Sequence, residues 1–417
     1  VARARRLHGG RLRHIANKRH SHRRIVRLLE VRHLRWIRQI RTTTVVERNL
    51  LKSMRYSSIP LPGVSETRLQ LQIHTLGPPP VFLGLPHLSY WRPNLHNGTM
   101  SSFDTSKLTV VGAGSVGTAL AYAAQIRGSA STIALYDVNE QKVEAEVLDL
   151  SHGSQFMLAS QIIGGADMEV TAGSDVVVIT AGAKQQPGQT RLDLAAKNVS
   201  ILEGMLPKLV EYSPEAIYIL VTNPVDVLTF AATQIVDLPA GRIFGSGTVL
   251  DSSRLRWLVG RTIGVSARSV HSMMIGEHGD SEFAMWSSAT IGQIPLREWT
   301  GDDGEQVFTP ELLDSIEDEV INASYRIIEG KGATNYAIGI SGARIVEAVI
   351  GDQKSILPVS TVGSSADPAI ALSVPSLVGR SGVIRPLDMA LDDAEQAKLD
   401  HSIATLRESI ASVGYQP

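Results

Sequence analysis

The sequence predicts an α/β fold: a doubly wound parallel sheet followed by an α+β catalytic domain, behind a basic N-terminal segment without a core of its own. Three observations carry this. From Lys107 to about Gly247, short apolar runs alternate with amphipathic helical stretches, the pattern of parallel strands covered by helices on both faces. Beyond Gly247 the alternation loosens into helices and short strands. Before Lys107 the charge balance is of another kind. Residues 1–99 hold 19 Lys and Arg against 3 Asp and Glu, whereas 100–417 hold 21 against 38, so a net charge of -1 conceals two unlike parts.

The elements follow in order. Residues 1–41 are rich in Arg and His, and Arg24 to Ile40 could form a short basic helix. Residues 57–99 are broken by Pro60, Pro62, Pro78, Pro79, Pro80, Pro86 and Pro93. We expect 1–99 to be a disordered, appended segment. Three readings of it stay open: a nucleic-acid-binding arm, an organelle-targeting leader, or coding sequence upstream of the start, with Met100 seven residues before the first convincing strand.

KLTVV, from Lys107, reads as a strand, Val116 to Gly128 as a helix, TIALYD as a strand and Asn139 to Leu150 as a helix. DVVVITAG, Asp175 to Gly182, reads as the next strand, Leu192 to Val210 as a helix and AIYILVTNP as a strand. A helix over Asp251 to Thr262 and a strand near Val270 follow. Ala394 to Gly414 places Leu399, Ile403, Leu406 and Ile410 at helical spacing, with Gly414 as the stop. The division expected is 1–99, 104–248 and 249–417.

Several classes are excluded or disfavoured. There is no cysteine, hence no disulfide, thiolate nucleophile or Cys-based zinc site, and no metal site is predicted. No apolar run reaches the roughly 18 residues of a spanning helix, so we expect a soluble, cytoplasmic protein without membrane contact.

Gly112-Ala113-Gly114-Ser115-Val116-Gly117 follows the strand KLTVV and opens a helix. The first glycine permits the tight turn, the second leaves room for a pyrophosphate, and the third lets helix and strand approach. The helix start then offers free N–H groups and the positive end of its dipole. Asp137, twenty residues beyond Gly117 at the end of TIALYD, would accept bonds from both ribose hydroxyls and repel a 2′-phosphate, which favours NAD. The fold is therefore expected to be a Rossmann-type dinucleotide domain.

Four further pieces point to chemistry. AGAKQQPGQTRLDL, residues 181–194, is a polar loop punctuated by Gly182, Pro187 and Gly188, suited to a lid, with Arg191 at its far end. VTNP puts Asn223 at the C-terminal end of a strand, where doubly wound sheets bind ligands. In LDSSRLR, Asp251 and Arg254 are three apart and share a helix face. GEHGD sets His278 between glycines, and histidine can give or take a proton near neutrality.

In this order, GAGSVG, YD, AGAKQQPGQTR, TNP, LDSSR and GEHGD resemble the L-lactate/L-malate dehydrogenase family, most closely its bacterial, fructose 1,6-bisphosphate-activated lactate branch, over about residues 105–415. The resemblance implies reversible hydride transfer between NADH and pyruvate giving (S)-lactate, the final step of fermentative glycolysis. It implies His278 as proton donor and acceptor, Asp251 as its carboxylate, Arg191 as the lid residue polarising the carbonyl, and Arg254 as the fork on the substrate carboxylate. Asn223 would bond the reacting oxygen and Thr334 would line the pocket. Thr180, Ala181, Gly182, Val221 and Asn223 join Gly112, Gly114, Ser115, Val116, Gly117 and Asp137 on the cofactor.

Gln185 occupies the lid position at which malate-specific members carry arginine. A neutral side chain there leaves a second substrate carboxylate unpaired in a closed site, at several kcal/mol, which favours pyruvate and lactate. Arg256, about 200° around the helix from Arg254, and His271 match positions that bind fructose 1,6-bisphosphate across a subunit interface, and the resemblance implies a homotetramer. The alternatives are a malate or other 2-hydroxy-acid dehydrogenase, and a non-catalytic dinucleotide-binding protein.

Overall fold

The computed structural model describes residues 105–416 except 159 and 184–190, and only the backbone of Arg191 and Leu192. These residues belong to the second of two units, Asn94–Pro417. The basic segment 1–99 and Gln185 lie outside the described residues.

Strands covered on both faces must be largely apolar, and the central strands of this sheet are. β1 (Lys107–Val111) continues through helix α1 (Ser115–Arg127) to β2 (Thr132–Tyr136), α2 (Glu140–His152) and β3 (Gln161–Gly165). β4 (Val176–Ile179), α3 (Arg191–Tyr212), β5 (Ile217–Leu220), α4 (Val225–Ile235) and β6 (Ile243–Gly245) complete the second half. All six strands pair in parallel. Alternate residues go to opposite faces. Leu108, Val110, Val178 and Ile219 enter one core with residues of α1, and Val111, Val177, Ile179, Tyr218 and Leu220 enter a second with residues of α3 and α4. Each such side chain, fully buried, contributes roughly 1.5–3 kcal/mol.

α5 (Val249–Ile263) leads away from the sheet. Short strands follow, β7 (Val270–His271), β8 (Met274–Ile275), β9 (Phe283–Ala284), β10 (Thr290–Ile291) and β11 (Ile294–Pro295), and then α6 (Pro310–Lys331) and α7 (Tyr336–Ile350). β12 (Ser355–Thr361), β13 (Leu372–Gly379) and β14 (Gly382–Pro386) form an antiparallel meander, and α8 (Asp393–Ser412) closes the chain. The meander does not stand apart. It joins the parallel sheet at Ser360–Gly245, giving one nine-stranded sheet of order β14-β13-β12-β6-β5-β4-β1-β2-β3. Sequence periodicity reads each strand's type and not its partner, so the loosened pattern beyond Gly247 concealed this continuity.

Local signals explain the helix ends. Asn139 accepts the Lys142 N–H at 3.1 Å and caps α2, so the expected helix start at Asn139 is its cap. Gly128 (φ 63°) ends α1 in the left-handed region that glycine tolerates best. Asp392 and Glu395 form a reciprocal capping box at the start of α8. Among the described residues, no helix is long and apolar enough to cross a membrane.

The strand order reverses at β1, which pairs with β2 on one side and with β4 on the other. The crevice beyond their C-terminal ends is where such sheets take ligands. α7 seals α1 from outside by close approach: a Cβ on Gly339 would lie 2.7 Å from the backbone of Ala119. The helix-propensity gain of Gly339→Ala, about 1 kcal/mol, is therefore opposed by overpacking of about 1–3 kcal/mol. Urea denaturation should show this variant to be less stable than the parent.

Candidate active site

The switch point carries a phosphate cradle. Gly112 (φ 100°) makes the turn after β1, and a Cβ there would meet the backbone of Ala181 at 2.8 Å. A Cβ on Gly117 would lie 1.9 Å from the Gly112 carbonyl, so only glycine allows α1 to pack this close. Gly114 differs: a Cβ there would meet nothing within 4 Å. That open side faces the start of α1, whose cap residue makes no side-chain hydrogen bond, so the first N–H groups remain available to an anion. Ser115 is exposed and Val116 half-buried at the same start.

Asp137 closes the cradle. Its Oδ2 accepts the Ala113 N–H at 2.7 Å and its Oδ1 accepts the Asn139 N–H at 3.0 Å. The carboxylate is thereby held at the end of β2 beside the glycine turn. Thr180 Oγ donates to the carbonyls of Val111 and Gly112, each at 3.0 Å, and ties β4 to the loop. These groups suit a dinucleotide: space for a pyrophosphate, unpaired donors, and a fixed acid for a ribose.

His278 lies in the loop between β8 and β9. Its Nδ1 is 2.8 Å from Oδ2 of Asp251, whose side chain is 1% exposed. The contact pairs the imidazole with a buried carboxylate oxygen. Arg254 grips the other oxygen, Asp251 Oδ1, one turn along α5. Burial pushes the Asp251 carboxyl up, but charged His278, with Arg254 adding to it, outweighs burial and holds it below the usual carboxylate range. For His278 burial favours the neutral ring, yet Asp251 and then Glu282 raise its proton affinity well above that of free imidazole. With Nδ1 engaged, Nε2 is the ring nitrogen left for a substrate.

The expected pair Asp251 and Arg254 is thus found on one helix face, and it is joined to His278. Arg254 is half-buried and binds Asp251. Asn223 lies three residues beyond β5 and is exposed. Its carbonyl accepts from Asn198 Nδ2 at 2.8 Å, while Asn198 Oδ1 accepts the Ala183 N–H at 2.7 Å. Thr222 Oγ donates to the Ala181 carbonyl at 2.8 Å. Ala181 and Gly182, at the root of the polar loop, are thereby bound to the TNP segment, next to Val221. Arg191 begins α3. Thr334 is half-buried in the connection between α6 and α7, both of which pack on α5. Arg256 turns away from Arg254 and donates to the Ser272 carbonyl at 2.9 Å, the residue after exposed His271.

Several residues escaped the sequence reading. Asp226, 2% exposed, accepts the His278 backbone N–H at 2.7 Å and the Ser373 hydroxyl at 3.0 Å. Ser402 on α8 accepts the Glu277 N–H at 2.5 Å. Glu282, 4% exposed, brings Oε2 to 3.7 Å from His278 Nδ1. A signal existed for two of them. Asp226 stands in the apolar run PVDVLTFAA, and Glu282 directly precedes FAMW; an acid within an apolar run marks a buried polar contact.

Residues 106–245 match the NAD-binding domain of lactate/malate dehydrogenase, and 248–415 match its alpha/beta C-terminal domain. The chain belongs to the lactate/malate dehydrogenase family. Within that family it is similar to the L-lactate dehydrogenase of Bifidobacterium animalis subsp. lactis (strain AD011), 48% identical over 317 residues, which are 76% of this chain and 99% of the relative. The L-lactate dehydrogenase of Synechococcus sp. (strain JA-3-3Ab) is 45% identical over 309 residues, 74% of this chain and 99% of the relative. Two solved lactate dehydrogenase structures resemble it, each with TM-score 0.71 and each covering 75% of this chain and 99% of their own. One comes from a Medee basin deep-sea metagenome library, at 33% identity, and the other is the minor L-lactate dehydrogenase of Enterococcus mundtii, at 37%. This member of the lactate/malate dehydrogenase family is an oxidoreductase of L-lactate dehydrogenase function, with NAD as its cofactor.

Proposed function

We propose that His278 exchanges the proton when pyruvate and L-lactate are interconverted, with Asp251 holding the imidazole and Arg254 the substrate carboxylate. The 2.8 Å contact between His278 Nδ1 and Asp251 Oδ2 carries this reading. The glycines Gly112, Gly114 and Gly117, with Asp137, would hold NAD, which supplies or accepts the hydride when bound. His278 Nε2 protonates the developing alkoxide in one direction and takes that proton back in the other. Asp251 stabilises the imidazolium and its orientation. Arg254 swings from Asp251 to a carboxylate that its planar fork fits. Arg191 polarises the carbonyl as water leaves, Asn223 bonds the reacting oxygen and Thr334 lines the pocket. Residues 104–248 serve as the cofactor domain and 249–417 as the substrate domain.

Neutral Gln185 supports a monocarboxylate. Arg256 beside the His271 strand supports a phosphate site, and with it a homotetramer activated by fructose 1,6-bisphosphate in the cytoplasm.

Four outcomes test this. His278→Asn should lower kcat/KM for pyruvate by about 10²–10⁴. Because the proton affinity of His278 is raised, pyruvate reduction in the parent should persist above the ordinary imidazole range and fall only as the ring deprotonates, while lactate oxidation rises over the same window; a pH–rate profile checks the sign. With NADH, kcat/KM should be higher for pyruvate than for oxaloacetate, and the reverse would indicate a malate dehydrogenase. Fructose 1,6-bisphosphate should lower the KM for pyruvate near neutral pH, and Arg256→Gln should remove that effect.

A further inference from the structure

The roles above leave Glu282 idle. Its side chain is 3% exposed and its Oε2 has no hydrogen-bond partner, though it lies 3.7 Å from the Nδ1 that Asp251 approaches at 2.8 Å. The Asp251, His278 and Glu282 atoms all fall within 4.8 Å of one another. Two carboxylates in so small a dry volume do not both ionise readily, and one retains its proton. Asp251 is the one that ionises, since it has Arg254 on one oxygen and the imidazole near the other. Glu282 Oε2 has only the distant side of the same imidazole nitrogen, 3.7 Å away, which Asp251 approaches more closely. Burial, then the Asp251 charge, push its carboxyl up to about 8, against the pull of His278 and Arg254.

The surrounding charges are these. Asp251 and Arg254 reach in from α5, and His278 from its own loop. Asp226 of α4 turns to the His278 backbone N–H. Glu317 of α6 accepts the Ala284 N–H at 3.0 Å and pairs with Lys398. With Glu282 ionised, the two anions Asp251 and Glu282 balance the two cations His278 and Arg254. A substrate carboxylate then adds one uncompensated negative charge to a closed site. We propose that Glu282 is a positioning residue for His278 that takes a proton from solvent when a monoanionic 2-keto acid binds, restoring neutrality around the imidazolium. This rests on the roles proposed for His278 and Arg254. Below the titration of Glu282 the carboxyl is already neutral and nothing changes. Above it, each binding event carries this additional proton, and the enzyme's grip on substrate weakens as protons become scarce.

The test uses the NADH-saturated enzyme and oxamate, a carboxylate-bearing isostere of pyruvate. An infrared difference spectrum, oxamate-bound minus free, at about pH 9, one unit above the Glu282 titration, should show a protonated-carboxyl stretch gained by the parent. The band should be absent from Glu282→Gln and shifted in Glu282→Asp, which keeps a carboxyl if the first variant folds poorly. In parallel, the apparent affinity for pyruvate should fall, at its alkaline limit, roughly a hundredfold per pH unit in the parent and roughly tenfold in Glu282→Gln. A purely structural role would lower activity without altering that slope. No band in the parent, equal slopes in both, or a band that persists in Glu282→Gln and so belongs to Asp226, would overturn the inference while leaving His278 in its role. Failure of oxamate to bind the parent at any pH would overturn the reading of Arg254 and His278 itself.

Discussion

Asp251 is 1% exposed and still an anion, and that is tolerable only because two cations meet it. Taking a carboxylate out of water costs several kcal/mol, and a buried charge is kept only when partners satisfy it. Arg254 satisfies one oxygen from the same helix, and His278 approaches the other from a loop 27 residues later in the chain. If either partner is withdrawn, the remaining charges are left facing apolar walls. The pair therefore constrains α5, the His278 loop and the strands that hold them. The same constraint lends itself to catalysis, since an imidazole beside a fixed anion keeps its proton until a substrate oxygen competes for it.

The loop that bears His278 would not hold this position alone. Asp226 from α4 takes its backbone N–H, Ser373 of β13 steadies Asp226, and Ser402 of α8 takes the N–H of Glu277. Gly276 and Ser373 exchange backbone bonds at 2.9 and 3.1 Å across an isolated bridge. Elements from both halves of the chain thus converge on one short segment. The antiparallel meander contributes through β13, whose Ser373 bridges to Gly276, and α8 contributes through Ser402.

A parallel logic governs the cofactor cradle. Gly112 and Gly117 are needed because the protein's own backbone comes within reach of a Cβ, whereas at Gly114 the space is left open. The root of the polar loop is tied to the TNP segment by Asn198 and Thr222.

Much of this was legible in one dimension. Alternating apolar runs specify a sheet covered on both faces, glycines at fixed spacing specify a turn against a phosphate, and a three-residue separation puts Asp251 and Arg254 on one helix face. Those are local facts, set by chain geometry and the period of the element. The tertiary structure alone decided which strand neighbours which, so the attachment of β12 to β6 could not be foreseen. It alone brought Asp226, Glu282, Ser373 and Ser402 to the histidine, because a buried polar contact forms between residues tens to more than a hundred positions apart, or turns on the path of a loop that no periodicity describes. Sequence spacing identifies the groups able to do chemistry. Burial and the charges brought together by folding, which set how strongly each one holds its proton, exist only once the chain has folded.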